Sequence, residues 1–247
     1  MKIKTINNVT IKPIKHEKLD IPIKGSDLFQ EAYCNVFICA KKKSGKSTVI
    51  YRILQKCTGK DTKVHIFAST VHRDPTYQKI IEYFDNHEID YDTYTSLNED
   101  GENVLQTIIN ELNTEQSSES DEETEPEPEN VMMFGDTKLK VSKKKRKSKF
   151  LSPKHIFVFD DLGATLRDKS IDSLMKVHRH YLSKCIFSSQ YLNDLSPQAR
   201  LQLDYVLLFK GLPMMKLGEI YKDIDPPINA PKTKYWMFKT GLAFYLE

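Results

Sequence analysis

Apolar residues along this chain recur in two alternating rhythms. Val36-Phe37-Ile38-Cys39, "KVHIFAS" (63–69), "KHIFVFDD" (154–161), "KCIFSSQ" (184–190) and "DYVLLFK" (204–210) are short apolar runs rich in β-branched and aromatic residues. Such runs mark strands buried on both faces. Between them the apolar positions fall three and four apart, as on one face of a helix. "TVIYRILQKC" carries Val49, Ile50, Ile53 and Leu54 and meets a stop at Gly59. "TYQKIIEYFDNH" (76–87) carries Ile80, Ile81 and Phe84, and "ENVLQTIINELN" (102–113) carries Val104, Leu105, Ile108, Ile109 and Leu112. A third strand at "IDYDTYT" (89–95) and a helix over about 170–183 complete the alternation. "SPQAR" opens a short helix with Ser196 as N-cap and Pro197 in the first helical position. The tail "KYWMFKTGLAFYLE" reads as a C-terminal β-hairpin turning near Thr240-Gly241. Strand and helix in alternation predict an α/β fold, a mostly parallel sheet with helices on both faces.

Composition sharpens this picture in two places. The chain has 247 residues, and 39% hydrophobic content with twelve Phe and twelve Tyr supports one large domain. No segment approaches the ~18 uninterrupted apolar residues of a membrane span, so no membrane insertion is expected. "MKIKTINNVTIKPIKHEK" has no apolar core and is not expected to act as a secretory signal. Cys34, Cys39, Cys57 and Cys185 form no C-x-x-C pair and read as buried reduced thiols. His178 and His180, two apart on a helix, point to different faces and do not suit a zinc pair. The net charge of +3 conceals two opposed blocks. "TEQSSESDEETEPEPE" (114–129) has eight acidic residues and no basic one; "KLKVSKKKRKSK" (138–149) has eight basic residues and no acidic one. Neither has the apolar content to offset ordering entropy. The expected organisation is an N-terminal extension at 1–30 and a domain at 31–247, interrupted by a disordered charged insertion at about 114–150. "KKKRKSK" has three readings: a nuclear-import signal, a polyanion contact, or a solvated loop attracted to the acidic block.

Candidate chemistry begins at "AKKKSGKST", Ala40 to Thr48. It has the length of the phosphate-binding loop G-x-x-x-x-G-K-[ST], with alanine for the first glycine. In such a loop the backbone amides of Lys43, Ser44, Gly45, Lys46, Ser47 and Thr48 wrap a nucleotide phosphate at a helix N-terminus. Lys46 reaches the β/γ-phosphates, and the Ser47 hydroxyl ligates Mg²⁺. Alanine at position 40 is tolerable provided its φ stays negative. A lysine-rich surface loop is the competing reading, but a strand precedes the motif and a helix follows it, as a phosphate site requires. Asp160 ends an apolar strand, where a carboxylate can hold Mg²⁺ directly or through water. Asp161 beside it could activate the attacking water, with a side chain one methylene shorter than glutamate. Gln190, ending the next strand, could hydrogen-bond the attacking water and the γ-phosphate. Arg167, Arg179 and Arg200 are the arginines available to stabilise the transition state. All these strand ends meet at the carboxyl edge of the sheet, where ligands of such folds bind.

In this order, "AKKKSGKST", "HIFVFDD", "HRHYLSKCIFSSQ" and "SPQARLQLDYVLLFK" resemble the motifs of the FtsK–HerA superfamily of P-loop ATPases. Closest in pattern are the genome-packaging ATPases of virophages and large DNA viruses. The resemblance spans about 30–113 and 150–210. It implies a RecA-like (ASCE) P-loop NTPase core, ATP and Mg²⁺ as cofactors, and a homo-oligomeric ring, often a hexamer. It further implies translocation of double-stranded DNA into a viral capsid, at a portal-like vertex. It carries nucleotide contact onto Lys46 and Ser47, metal coordination onto Asp160, water activation onto Asp161 and γ-phosphate sensing onto Gln190. A neighbouring subunit's arginine finger falls on Arg179 or Arg200. The implied location is a virus factory in the host cytoplasm, with virion association and nuclear import through the basic block left open. The charged insertion and Ala40 depart from the family pattern.

Two other classes share part of this pattern. A P-loop nucleotide or small-molecule kinase would carry an arginine-rich lid, whereas the long insertion here is lysine-rich and acidic. A non-enzymatic, nucleotide-dependent DNA-binding switch is the third reading; the guanine signature N-K-x-D does not occur.

Overall fold

The computed structural model describes residues 21–99, 101–121, 150–209, 212–224, 235–239 and 242–245. In chain order these form β1 (Asn35–Cys39), α1 (Lys46–Cys57), β2 (Lys63–Ala68), α2 (Pro75–Asn86) and β3 (Asp90–Tyr94). A small ribbon follows, β4 (Asn98–Glu99) with β5 (Glu102–Asn103), and then α3 (Val104–Asp121). The second half comprises β6 (His155–Asp160), α4 (Lys169–Val177), β7 (Ser183–Ser189), α5 (Pro197–Arg200), β8 (Tyr205–Phe209) and α6 (Met214–Ile224). The hairpin β9 (Tyr235–Lys239) and β10 (Leu242–Tyr245) comes last. Single 3-10 turns occupy Gly163–Arg167 and Leu192–Asp194.

One sheet runs in the order β10-β9-β8-β1-β7-β6-β2-β3. The six strands from β8 to β3 are parallel. β9 joins β8 and β10 joins β9 in antiparallel fashion, so the tail is the expected hairpin. Its turn residues, Thr240 and Gly241, lie outside the described residues. β7 stands between β1, which leads into the phosphate loop, and β6, which ends in the aspartates. This is the RecA-like (ASCE) order of a P-loop NTPase.

Side chains alternate across each strand, and the two faces of the sheet differ in kind. Val36, Ile38, Val64, Ile66, Ile156, Val158 and Ile186 face α1 and α2, packing on Ile50, Ile53, Leu54, Ile80 and Phe84. Phe37, Phe67, Phe157, Phe159 and Phe187 face the other way, toward α3, α4 and α6. Phe67, Phe159 and Phe187 stack across neighbouring strands at 5.0 and 4.9 Å between ring centroids. Each fully buried phenylalanine contributes about 1.5–3 kcal/mol, so these strands are anchored far more firmly than the loops at their ends.

The boundaries differ from expectation in four places. α4 ends at Val177 rather than near 183, because the chain must reverse to enter β7: Leu182 has a positive φ of 49°, and the Ser183 amide donates to His178 O. α3 continues past 113 to Asp121, into the acidic block assigned to the insertion. Its Glu, Gln and Ser residues tolerate a helix, and no Gly or Pro interrupts it before Pro126. The rest of the insertion, 122–149, lies outside the described residues. Residues 21–30 are not a separate extension. Phe29 is buried edge-on to Tyr205 at 5.0 Å, and the segment exchanges backbone hydrogen bonds with Leu151. Residues 1–20 are not among those described. Finally, α6 was not anticipated, although Leu217 and Ile220 seat it on the phenylalanine face.

Candidate active site

The phosphate loop leaves β1 at Cys39 and enters α1 at Lys46. Ala40 is fully buried, its amide donates to Ser189 O of β7 at 3.2 Å, and its φ is not positive. The missing first glycine therefore costs the loop no strain. The turn itself is made further on, where Lys43 (φ 60°) and Gly45 (φ 93°) adopt left-handed conformations. Glycine is required at 45 by that φ, and a Cβ built there would meet nothing within 4 Å, leaving space against the backbone. Gly45 is also the N-cap of α1, with no side-chain cap. The first amides of a twelve-residue helix thus open toward the cleft, the arrangement that binds anions.

Two strands away, β6 delivers the aspartates. Lys46, 7% exposed, is nearly buried, and its Nζ lies 3.0 Å from Asp161 Oδ1. Asp161 is itself about half exposed, has a left-handed φ of 53°, and is fixed by its amide donating to Ser188 O at 2.9 Å. Asp160, 6% exposed, lies deeper. Its Oδ2 accepts a 2.7 Å hydrogen bond from the Tyr77 hydroxyl and stands 3.4 Å from Ser47 Oγ, too far for a strong hydrogen bond. Its Oδ1 is buried with no hydrogen-bond partner among the described residues. A carboxylate with one unsatisfied buried oxygen and the other 3.4 Å from a serine hydroxyl is a donor set that fits Mg²⁺, a hard cation that takes oxygen ligands.

The third wall of the cleft comes from the corner between β2 and α2, which the motifs did not point to. Thr70, Arg73, Asp74 and Thr76 line the cleft together with Lys42, Lys43, Gly45 to Thr48, Asp160 and Asp161. The corner is rigid. Arg73 and Asp74 donate their amides to Thr70 O, and Asp74 caps α2 by accepting from the Thr76 amide at 2.8 Å. Arg73 is exposed on the rim, and its side chain has no hydrogen bond or ion pair among the described residues. Tyr77, one turn into α2, is fully buried. Burial, with the neighbouring Asp160 charge and the hydrogen bond to it, holds the Tyr77 phenol well above its ordinary value, so its hydroxyl donates. Asp74-Pro75, a helix start, was the only sequence signal near this corner.

The remaining candidates are placed elsewhere. Gln190 directly follows β7, beside the start of the phosphate loop, but it lines an adjacent depression with Cys39, Tyr191, Lys216 and Glu219. Arg200 donates to Asn193 Oδ1 and Arg167 to Asn193 O, both at 3.0 Å. Arg179 lies at the opposite, amino edge of the sheet, 65% exposed and 3.1 Å from Asp204. Among the described residues no cluster of His, Cys, Asp or Glu could hold a further metal, and all four cysteines are free and buried. No helix among them is long and apolar enough to cross a membrane.

Fold and site together define a RecA-like P-loop NTPase. No family model matches the chain, and no curated protein matches it in sequence. Solved structures do match in fold. The genome-packaging NTPase B204 of Sulfolobus turreted icosahedral virus 2, in complex with AMP, superposes with a TM-score of 0.52 at 13% identity, over 88% of this chain and 98% of that one. B204 of Sulfolobus turreted icosahedral virus, a DNA-packaging ATPase, gives a TM-score of 0.50 at 15% identity, over 85% and 95%. The pCW3 conjugation coupling protein TcpA also reaches 0.50 at 15% identity, over 83% of this chain and 57% of that one. At these identities the likeness is one of fold.

Proposed function

We propose that this protein is an ATP-hydrolysing motor that moves double-stranded DNA into a viral capsid, acting as a homo-oligomeric ring, most simply a hexamer. The observation that carries the reading is the convergence of Lys46, Ser47, Asp160 and Asp161 in one cleft from two strands separated by a third. The amides of Lys43 to Thr48 and the Lys46 ammonium bind the phosphates. Ser47 Oγ and the Asp160 carboxylate would hold Mg²⁺, which offsets charge on the phosphate oxygens when bound. A phosphate group drawing Lys46 to itself releases Asp161 from the 3.0 Å ion pair. The freed carboxylate accepts a proton from a water as that water attacks the γ-phosphorus. The bond from that phosphorus to the bridging oxygen breaks, and ADP leaves with the electron pair. Lys46 and an arginine from the neighbouring subunit stabilise the charge that builds up. We assign that arginine to Arg179, exposed and followed by His180 ahead of the Gln190 strand as in the family pattern, with Arg200 as the alternative. Gln190, beside the start of the phosphate loop, would sense the γ-phosphate and pass its state to the adjacent depression. The protein would act in a virus factory of the host cytoplasm or at the virion vertex.

The packaging proteins of like fold, named for their genome-packaging role, support the DNA-moving half of this reading, as does the lysine-rich block at 138–149. The experiment is a phosphate-release assay with and without double-stranded DNA. Hydrolysis stimulated by DNA, with no phosphorylated small-molecule product, is the expected result. A phosphorylated acceptor would make the protein a kinase, and nucleotide binding without turnover would make it a switch.

A further inference from the structure

We propose that Tyr77 is a positioning residue for the Mg²⁺ site: its hydroxyl fixes the Asp160 carboxylate that, with Ser47, would hold the metal. The inference rests on the nucleotide-site reading above and deepens it. Three observations carry it. Tyr77 is completely buried in α2, packed against the β-branched face of the sheet, so its hydroxyl has a fixed position. That hydroxyl donates to Asp160 Oδ2 at 2.7 Å, a short hydrogen bond. The other oxygen, Oδ1, is buried without a partner among the described residues, a costly arrangement unless a ligand completes it.

A carboxylate held at one oxygen is hindered from swinging away from Ser47, whose Oγ lies 3.4 Å from that same oxygen. Outer partners of this kind orient metal ligands, and their loss typically costs about 10- to 100-fold in metal affinity or activity. Tyr77 lies four residues after Arg73, so the same short helix start that lines the cleft rim also sets the floor of the metal site. The site is thereby built from three chain segments rather than two.

The test measures affinity for a fluorescent, non-hydrolysable ATP analogue in saturating Mg²⁺ and in EDTA, in the full chain. Wild type should bind more tightly with Mg²⁺. Tyr77→Phe, which keeps the ring and its packing, should lose about 10-fold of the Mg²⁺-dependent gain while its affinity in EDTA is unchanged. Asp160→Ala should lose the gain altogether, and adding Tyr77→Phe to it should cost nothing more. An unaltered Mg²⁺ gain in Tyr77→Phe, or an undiminished further loss in the double variant, would overturn the inference and leave the site reading standing. Wild type and Lys46→Ala binding the analogue equally would instead remove the site reading, and the inference with it.

Discussion

The two edges of the central sheet are built on opposite rules. At the amino edge, polar groups are used within the chain. Asp204 accepts from the Asn35 amide at 2.8 Å and from Arg179 at 3.1 Å, and Asn35 Nδ2 donates to Met175 O and Gln202 O. Ser183 Oγ donates to His178 O, and the buried Lys184 ammonium to Glu31 O. These contacts tie the entries of β1, β7 and β8 to the end of α4, although Asn35 Oδ1 and His178 Nε2 have no hydrogen bond among the described residues. At the carboxyl edge the groups are held back. Asp160 Oδ1 has no partner among the described residues, α1 has no side-chain cap, and Lys43, Gly45, Asp161 and Gly163 have positive φ, as Glu88 and Leu182 do at the amino edge. A buried polar atom without a partner and backbone in sparsely populated regions both cost free energy. Stability is made at one edge, and the other is kept ready for a ligand.

The largest expected effect is the one that would break this division. If a neighbour's Arg179 completes the site, one residue of the amino edge acts in catalysis, though only across a subunit contact. Arg179→Ala should lower hydrolysis about 10³-fold or more, as arginine fingers do, with ATP binding retained. Its own ion pair with Asp204 is exposed and contributes under about 1 kcal/mol, so melting should hardly change. Mixing it with Lys46→Ala subunits should restore part of the activity, since an intact site then meets an intact arginine. Rescue with Arg200→Ala in place of Arg179→Ala would move the assignment to Arg200, and no rescue with either would end the trans-finger model.

Lys46 and Asp161 come next, and separate binding from chemistry within the carboxyl edge. Lys46→Ala should lower turnover about 10²–10³-fold by removing a preorganised phosphate contact. Because the lysine is paired with a half-exposed aspartate, its loss leaves no buried charge behind and the fold should persist. Asp161→Asn should bind ATP at least as well as wild type, since it no longer competes for Lys46, while hydrolysis falls about 10²-fold or more. Turnover within a few fold of wild type in Asp161→Asn would place the base elsewhere.

Much of this was legible in the chain, and the failures have physical causes. The strands were readable because burial on both faces demands continuous apolar runs such as Ile156-Phe157-Val158-Phe159. The phosphate loop was readable because its residue types are dictated by the anion. What could not be read was the alternation of branched and aromatic residues into two unlike faces, since Val-Phe-Ile and Phe-Val-Phe look alike as buried runs. Nor could the partner of Asp160 be read. A tyrosine inside an amphipathic helix has the spacing of a core residue, and Tyr77 is one; only the fold shows that its hydroxyl meets a carboxylate 83 positions away. The α4 boundary failed because the reversal at Leu182 is imposed by β7 rather than by a glycine.

Asn35 tests the other half of the comparison. Asn35→Ala removes donors to two carbonyls at the amino edge, and unmade buried hydrogen bonds cost about 1–3 kcal/mol each. A loss of about 2–3 kcal/mol in denaturant unfolding is expected, with ATPase per folded molecule unchanged at a permissive temperature. A matching loss of turnover would mean that the amino edge also sets the geometry of the cleft.

The last effect expected, and the smallest at neutral pH, is one of pH. His65 is buried in β2, stacked on Phe157 at 4.7 Å and near His155, and its pKa is pushed down to about 3 by burial and then by the His155 and Lys63 charges. Asp92 lies 3.4 Å from Nδ1 and would favour the cation, but burial outweighs it. Folded His65 therefore stays neutral where unfolded His65, titrating near 6.5, takes up a proton. Stability is complete above about pH 6.5 and falls as the pH drops from there toward 3, at about 1.4 kcal/mol per unit for this group. His155 and His178 are shifted in the same direction, by burial above all. His65→Phe should keep most stability at pH 7 and flatten the decline between pH 6.5 and 4, read as the slope of unfolding free energy against pH. An unchanged slope would mean that His65 can take up a proton in the folded chain through Asp92, and that this part of the sheet is less tightly closed than its burial indicates.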